Sequence, residues 1–134
     1  LKKTQEVVSY YSHLFTNQKV SDFDLTFDFQ NHQIIEKKIG KIDFKNQFIL
    51  LDLLKLFISH QGEVFSKEFL VEHVWKQTYN PEVHDNKIYV TIKRLRKLIE
   101  PDFDHPKYIF RSKNGYFLNK SVKVQNLLHN RGDN

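Results

Sequence analysis

Residues 85–100, Asp-Asn-Lys-Ile-Tyr-Val-Thr-Ile-Lys-Arg-Leu-Arg-Lys-Leu-Ile-Glu, constrain this chain more than any other stretch. At helical spacing Ile88, Ile92, Leu95 and Ile99 form a continuous apolar stripe with Leu98 at its edge, and that stripe needs a core. The opposite side gathers Asn86, Val90, Lys93 and Lys97, with Tyr89 on one flank and Lys87 and Arg94 on the other. A solvated helix usually offsets its cations with an acid one turn away, yet no acid lies between Asn86 and Ile99. Val90 adds nothing to solubility, whereas a small apolar side chain is what meets a thymine methyl in the major groove. Asp85 is placed to cap the helix, and Glu100-Pro101 ends it. The face therefore fits a double-stranded DNA groove. The competing reading is a face that binds an acidic protein or a second copy of the chain.

The net charge of +5 is modest, but its distribution is not even. Residues 86–120 hold nine Lys and Arg against the three acids Glu100, Asp102 and Asp104, so all the net positive charge sits there. Arg96 lies toward the buried side and is expected to be structural. With 134 residues, 40% of them hydrophobic, the chain is long enough for one small domain with a real core. Twelve Phe make that core one of large side chains. The absence of Cys excludes disulfides and thiolate zinc sites. The seven His are scattered without a His-x-x-x-His pair, so neither a metal nor another cofactor is expected.

The longest apolar run, within Phe48–Ile58, is broken by Asp52 and Lys55 and is far too short for a bilayer span. No secretory signal is recognisable, which points to the cytoplasm. The chain starts at Leu1 and contains no Met, as a piece of a longer protein would. No Ser/His/Asp or Gly-rich phosphate constellation stands out, so catalysis is not expected.

Residues 2–17 read as an amphipathic helix, with Val7, Tyr11 and Leu14 in line and Val8 and Phe15 beside them. Asp22-Phe-Asp-Leu-Thr-Phe-Asp-Phe29 alternates as a half-buried strand whose Asp22, Asp24 and Asp28 face solvent. Two further short strands follow through Ile34-Ile35 and Gly40 to Ile42, as an antiparallel meander. A helix from about Phe44 to His60 presents Phe48, Leu51, Leu54 and Ile58 to the core and stops at Gln61-Gly62. After a short strand at Val64-Phe65, Ser66 caps a helix to about Trp75 with Phe69, Leu70, His73 and Val74 inward. Trp75 belongs to the core. Lys76–His84 is a polar loop containing Pro81, which makes the two helices around it a helix-turn-helix with a long turn. Beyond the basic helix, Tyr108–Arg111 and Tyr116–Leu118 flank an Asn114-Gly115 pair, a hairpin signal with a type I′ turn. Residues 121–134 read as a tail.

This order resembles the winged-helix effector domain of OmpR/PhoB-type response regulators of two-component systems. The likeness runs over roughly residues 22–119 and rests on Gly62-Glu-Val-Phe-Ser66, Leu70 through Val74-Trp75, Ile88-Tyr-Val-Thr-Ile-Lys-Arg-Leu-Arg-Lys97 and Gly115-Tyr116. It implies an α+β fold, a winged helix-turn-helix over 21–120 with a small N-terminal antiparallel sheet and a C-terminal β-hairpin wing. Residues 1–20 would then be a helix or linker from an upstream region. The resemblance also implies transcription regulation through sequence-specific double-stranded DNA binding. Groove-facing positions fall on Asn86, Tyr89, Val90, Lys93 and Arg94, with Thr91 nearer the phosphates and Lys87 and Lys97 beside them. The wing, with Arg111 or Lys113, would enter the adjacent minor groove. Loop 76–84 would touch RNA polymerase, and two copies would pair on DNA as a homodimer. Two features depart from the family pattern: this loop is longer than its commonest form, and Arg111-Ser-Lys-Asn-Gly-Tyr116 replaces the usual Arg-Gly-x-Gly-Tyr of the wing.

Overall fold

A computed structural model describes residues 22–28 and 30–127. The helix expected over 2–17 lies outside the described residues, as do Phe29 and the segment from Leu128 onward. The first three strands are β1 (Leu25–Asp28), β2 (Gln33–Glu36) and β3 (Gly40–Asp43), the expected meander. A fourth, β6 (Val124–Leu127), returns from the C-terminal end and lies parallel to β1, giving the order β3-β2-β1-β6. The expected tail thus contributes a strand as far as Leu127.

That strand changes the character of β1, which is central rather than half-buried. Leu25 and Phe27 face the core, but Thr26 and Asp28 on the other face are also buried. Of the three carboxylates expected to face solvent, Asp22 is exposed, but Asp24 and Asp28 are engaged. Asp28 accepts from the backbone N–H and the Nδ2 of Asn31 (3.1 and 2.7 Å), and Asp24 accepts from the backbone N–H of Lys123 (2.8 Å) and pairs with Lys107 Nζ (2.7 Å).

Helix α1 (Phe48–Ser59) starts later than the apolar run implied. Lys45 sits at φ 41, outside the helical region, and the N–H of Gln47 donates to Phe44 O in a turn. Phe44 is therefore buried in the core as a turn residue. Leu50, Leu51, Leu53, Leu54, Phe57 and Ile58 make the buried face, while Phe48, expected in that stripe, is 61% exposed. The expected cap does open α2 (Lys67–Leu70, continuing as a π-helical turn Val71–Trp75), where Ser66 Oγ accepts from Phe69 N at 3.0 Å. Its buried line runs through Leu70, Val71 and Val74. Phe69 and His73, expected inward, fall on the outer side and stack on each other at 5.1 Å. Trp75 is half-buried against the core, as expected.

The third helix, α3 (Pro81–Ile99), begins four residues before the expected Asp85 cap. Asn80 supplies the cap instead: its backbone is extended and its Oδ1 accepts from Glu82 N (3.0 Å). Pro81 takes the first helical position, where its missing N–H costs nothing. His84, assigned to the loop, is a buried residue of the first turn. Its Nδ1 accepts from Asn80 N (2.9 Å) and its Nε2 faces Gln77 Oε1 (2.7 Å), which ties turn and helix together. The loop shrinks to residues 76–80, opened by Lys76 in the left-handed region. At the other end Glu100 is extended before Pro101, as expected.

The hairpin pairs β4 (Ile109–Ser112) with β5 (Gly115–Leu118), and Ser112 opposes Gly115. Its two loop residues are Lys113 and Asn114, neither of which has a positive φ, so the turn is not the expected type I′. Gly115 is required for another reason. At φ 149, a Cβ there would lie 1.9 Å from Phe65 O, the atom that accepts from Tyr116 N. The expected strand at 64–65 is this single bridge, Phe65 to Tyr116.

The core lies between the four-stranded sheet, the three helices and the hairpin, with Phe27, Phe44, Phe57 and Tyr108 its largest fully buried side chains. Sheet, helix, bridge, helix, turn, helix and wing make an α+β winged helix-turn-helix, as expected.

Candidate nucleic-acid interface

On α3 the apolar stripe is buried as the periodicity requires: Ile88, Ile92, Leu95 and Ile99 are each at most 1% exposed. The opposite side presents Asn86, Lys87, Tyr89, Lys93, Arg94 and Lys97 to solvent, with Val90 half-buried among them. Thr91 is set apart from these. It is buried, and its hydroxyl donates to Lys87 O at 2.7 Å, which occupies its proton. Arg96 is structural, as expected, donating from Nε and Nη2 to Ile109 O at 3.2 and 3.0 Å and so fastening α3 to the wing. Arg111 and Lys113 are exposed on the wing, Lys113 at its tip and Arg111 over the Tyr116 ring at 5.9 Å.

Among the described residues, none of Lys87, Lys93, Arg94, Lys97, Arg111 and Lys113 has a carboxylate within ion-pair distance; the two Lys–Asp pairs are Lys67–Asp85 and Lys107–Asp24. Two face residues rest on aromatic rings instead, Lys87 on Trp75 (5.9 Å) and Lys97 on Phe103 (5.7 Å). A ring fixes an ammonium without neutralising it, so the charge remains available to a polyanion. The acid nearest the face in sequence is held elsewhere. Asp85 accepts from the Tyr79 hydroxyl and pairs with Lys67 Nζ at 3.4 Å. The Tyr79 hydrogen bond, followed by Lys67, keeps the Asp85 carboxyl below the usual range.

Two features of the face go beyond what its sequence pattern implies. Val83, brought onto it by the earlier helix start, is 58% exposed. The Asn80-Pro81 pair, a cap residue before a first-position proline, was the signal for that start. Exposed Phe48 also faces α3 across a groove of about 630 Å³, lined among others by Trp75, Lys87, Val90 and Arg94. Nothing in the helical period of α1 distinguished Phe48 from its buried neighbours.

Among the described residues no helix is long and apolar enough to cross a membrane. Residues 45–118 match the family described as transcriptional regulatory protein, C terminal. The fold superposes on the DNA-binding domain of RstA from Klebsiella pneumoniae, solved in complex with the RstA box, at a TM-score of 0.62. The two are 23% identical over 72% of this chain and 92% of that one. The DNA-binding domain of CpxR from E. coli gives a TM-score of 0.57 at 20% identity, covering 76% and 91%. The response regulator DrrB, a Thermotoga maritima OmpR/PhoB homolog, gives 0.50 at 24% identity, covering 85% of this chain and 52% of that one. The likenesses establish the fold, the match over 45–118 establishes the family, and this chain belongs to the OmpR/PhoB-type C-terminal domains of transcriptional regulatory proteins.

Proposed function

We propose that the chain binds double-stranded DNA sequence-specifically by laying α3 in the major groove, with the wing in the adjacent minor groove. The observation that carries this reading is the set of six exposed cations on α3 and the wing without a carboxylate partner among the described residues. Such a surface is held open for phosphates and base edges. The relative solved with its DNA box, RstA, supports the same use of the fold.

The roles follow from side-chain chemistry. Asn86 bonds bidentately to adenine, Lys93 or Arg94 to guanine, and Val90 meets a thymine methyl, each good bidentate pair discriminating by about 1–3 kcal/mol. Tyr89 flanks these bases. Lys87, Lys97 and the remaining cation hold phosphates, with Thr91 a backbone support beneath them. Arg111 and Lys113 are the groove-entering candidates of the wing. The polymerase contact implied for loop 76–84 narrows to residues 76–80, since His84 and its neighbours are helical.

Selection of sites from random double-stranded DNA tests this reading, run in parallel with the wild type, Asn86→Ala and Val90→Arg. An enriched motif is expected, with each variant losing preference at its own position. Direct repeats in it would support pairing of two copies on DNA. No enrichment, or one motif unchanged in all three proteins, would overturn the reading and leave the protein-binding face as its replacement.

A further inference from the structure

The first turn of α3 presents one residue the DNA-binding reading has not used. Val83 is 58% exposed in the first turn of a 19-residue helix. It does not serve helix stability there, since a β-branched residue is a weaker helix former than Ala or Leu. Nor does it serve packing, since the buried residue of its turn is His84.

Three observations converge on Val83. It precedes Val90 by seven residues and Lys97 by fourteen, so all three lie on one line of the helix, the middle of the face assigned to DNA. Seven residues advance about 10.5 Å along a helix, and in a groove-bound helix about six residues cover three successive bases, so seven span roughly two to three base steps. Two valines at this spacing match the rungs of a groove along which α3 lies. Finally, Val83 is held rigidly. Asn80 caps its turn, His84 bonds Asn80 N and Gln77, and Asp85 is fastened by Tyr79 and Lys67. Helix-turn-helix proteins present the N-terminal residues of the recognition helix to base edges, which is where this turn lies. Glu82, the one acid in that turn, points about 100° round the helix, toward the Tyr89 flank.

We infer that Val83 is a second apolar reader of the operator, covering the methyl group of a thymine roughly two to three base steps from the thymine covered by Val90. The inference rests on the DNA-binding reading and adds a specificity position at the N-terminal end of the recognition helix.

The test uses the DNA site obtained by selection. Each thymine in it is replaced singly by deoxyuridine, which lacks only the methyl group. Affinities are then measured for the wild type, Val83→Ala and Val90→Ala. In the wild type, removal of a covered methyl should weaken binding about fourfold, the effect of one buried carbon. One such position should become insensitive in Val83→Ala and another, roughly two to three steps away, in Val90→Ala. A site at which no thymine loses its methyl dependence in Val83→Ala overturns the inference, as does a selected site with no thymine there. Either result leaves sequence-specific binding intact. Failure to select any site would instead sink the DNA-binding reading, so the two failures are distinguishable. Val83→Ala replaces an exposed residue with a better helix former, and its folding is checked by an unchanged unfolding midpoint.

Discussion

Around Tyr108 the chain buries carboxylates, and on α3 it exposes cations; the two regions use charge in opposite ways. Glu100 is 4% exposed at the end of α3, and its carboxylate accepts from the backbone N–H groups of Lys107, Tyr108 and Ile109. Glu36 is fully buried on β2 and accepts from Lys38 N, Ile39 N and the Tyr108 hydroxyl, the last at 2.5 Å. Burial, then the hydrogen bond from Tyr108 to Glu36, pushes the Tyr108 hydroxyl far above its ordinary range, so it stays a donor. Asp24 joins the same seam through Lys107 and Lys123. Each acid there is matched to donors, as a buried charge must be. Among the described residues the exposed α3 cations Lys87, Lys93, Arg94 and Lys97 have no carboxylate partner. The seam's charges are neutralised within the fold, and the exposed cations of the face keep their charge available to a polyanion.

Substitutions on the two sides should separate accordingly. Glu100→Ala leaves three backbone donors without their acceptor where helix, loop and wing meet, and should cost about 3 kcal/mol of stability in urea unfolding. A cost below about 1 kcal/mol would show that the seam is not structural. The pair Lys93→Ala and Arg94→Ala should do the reverse. Stability should stay within about 0.5 kcal/mol of wild type, while affinity for the selected site falls at least about tenfold. Equal loss of both quantities would erase the distinction.

The smallest effect is expected at Asp24. Burial alone would raise its carboxyl, but the Lys107 hydrogen bond, the Lys123 N–H and nearby lysine charge bring it below the ordinary aspartate range. A carboxyl depressed by folding adds stability above its unfolded value and loses that contribution as pH falls through its folded value. The stability difference between wild type and Asp24→Asn should therefore be full near neutral pH and shrink below about pH 4. A difference that does not change with pH would remove the ion pair from the account.

What was legible in the sequence divides along a physical line. The docking stripe of α3 is a local periodicity, and so Ile88, Ile92, Leu95 and Ile99 could be read directly. Arg96 followed from the same wheel. The start of α3 was not so readable, because Asn80 and Asp85 are both competent caps. Burial of His84, a tertiary fact, favours Asn80, and the bond from Asn80 N to the His84 ring reinforces it locally. Strand β6 escaped notice because its partner β1 lies 99 residues earlier, and four residues of weak alternation carry little signal alone. The donors of Glu36 and Glu100 are mostly backbone groups, which no side-chain pattern reveals. The wing turn departs from type I′ for a related reason: Asn-Gly is a local signal, but Gly115 answers to the Phe65 carbonyl across the domain.

The claim that the exposed cations of α3 and the wing are phosphate and base contacts is tested most directly by the salt dependence of binding to the selected site. Neutralising roughly five phosphates gives a slope of log affinity against log salt near −4 to −5. Lys97→Ala should make that slope shallower by about 1. A slope near zero, or one that Lys97→Ala leaves unchanged while binding persists, would contradict the account.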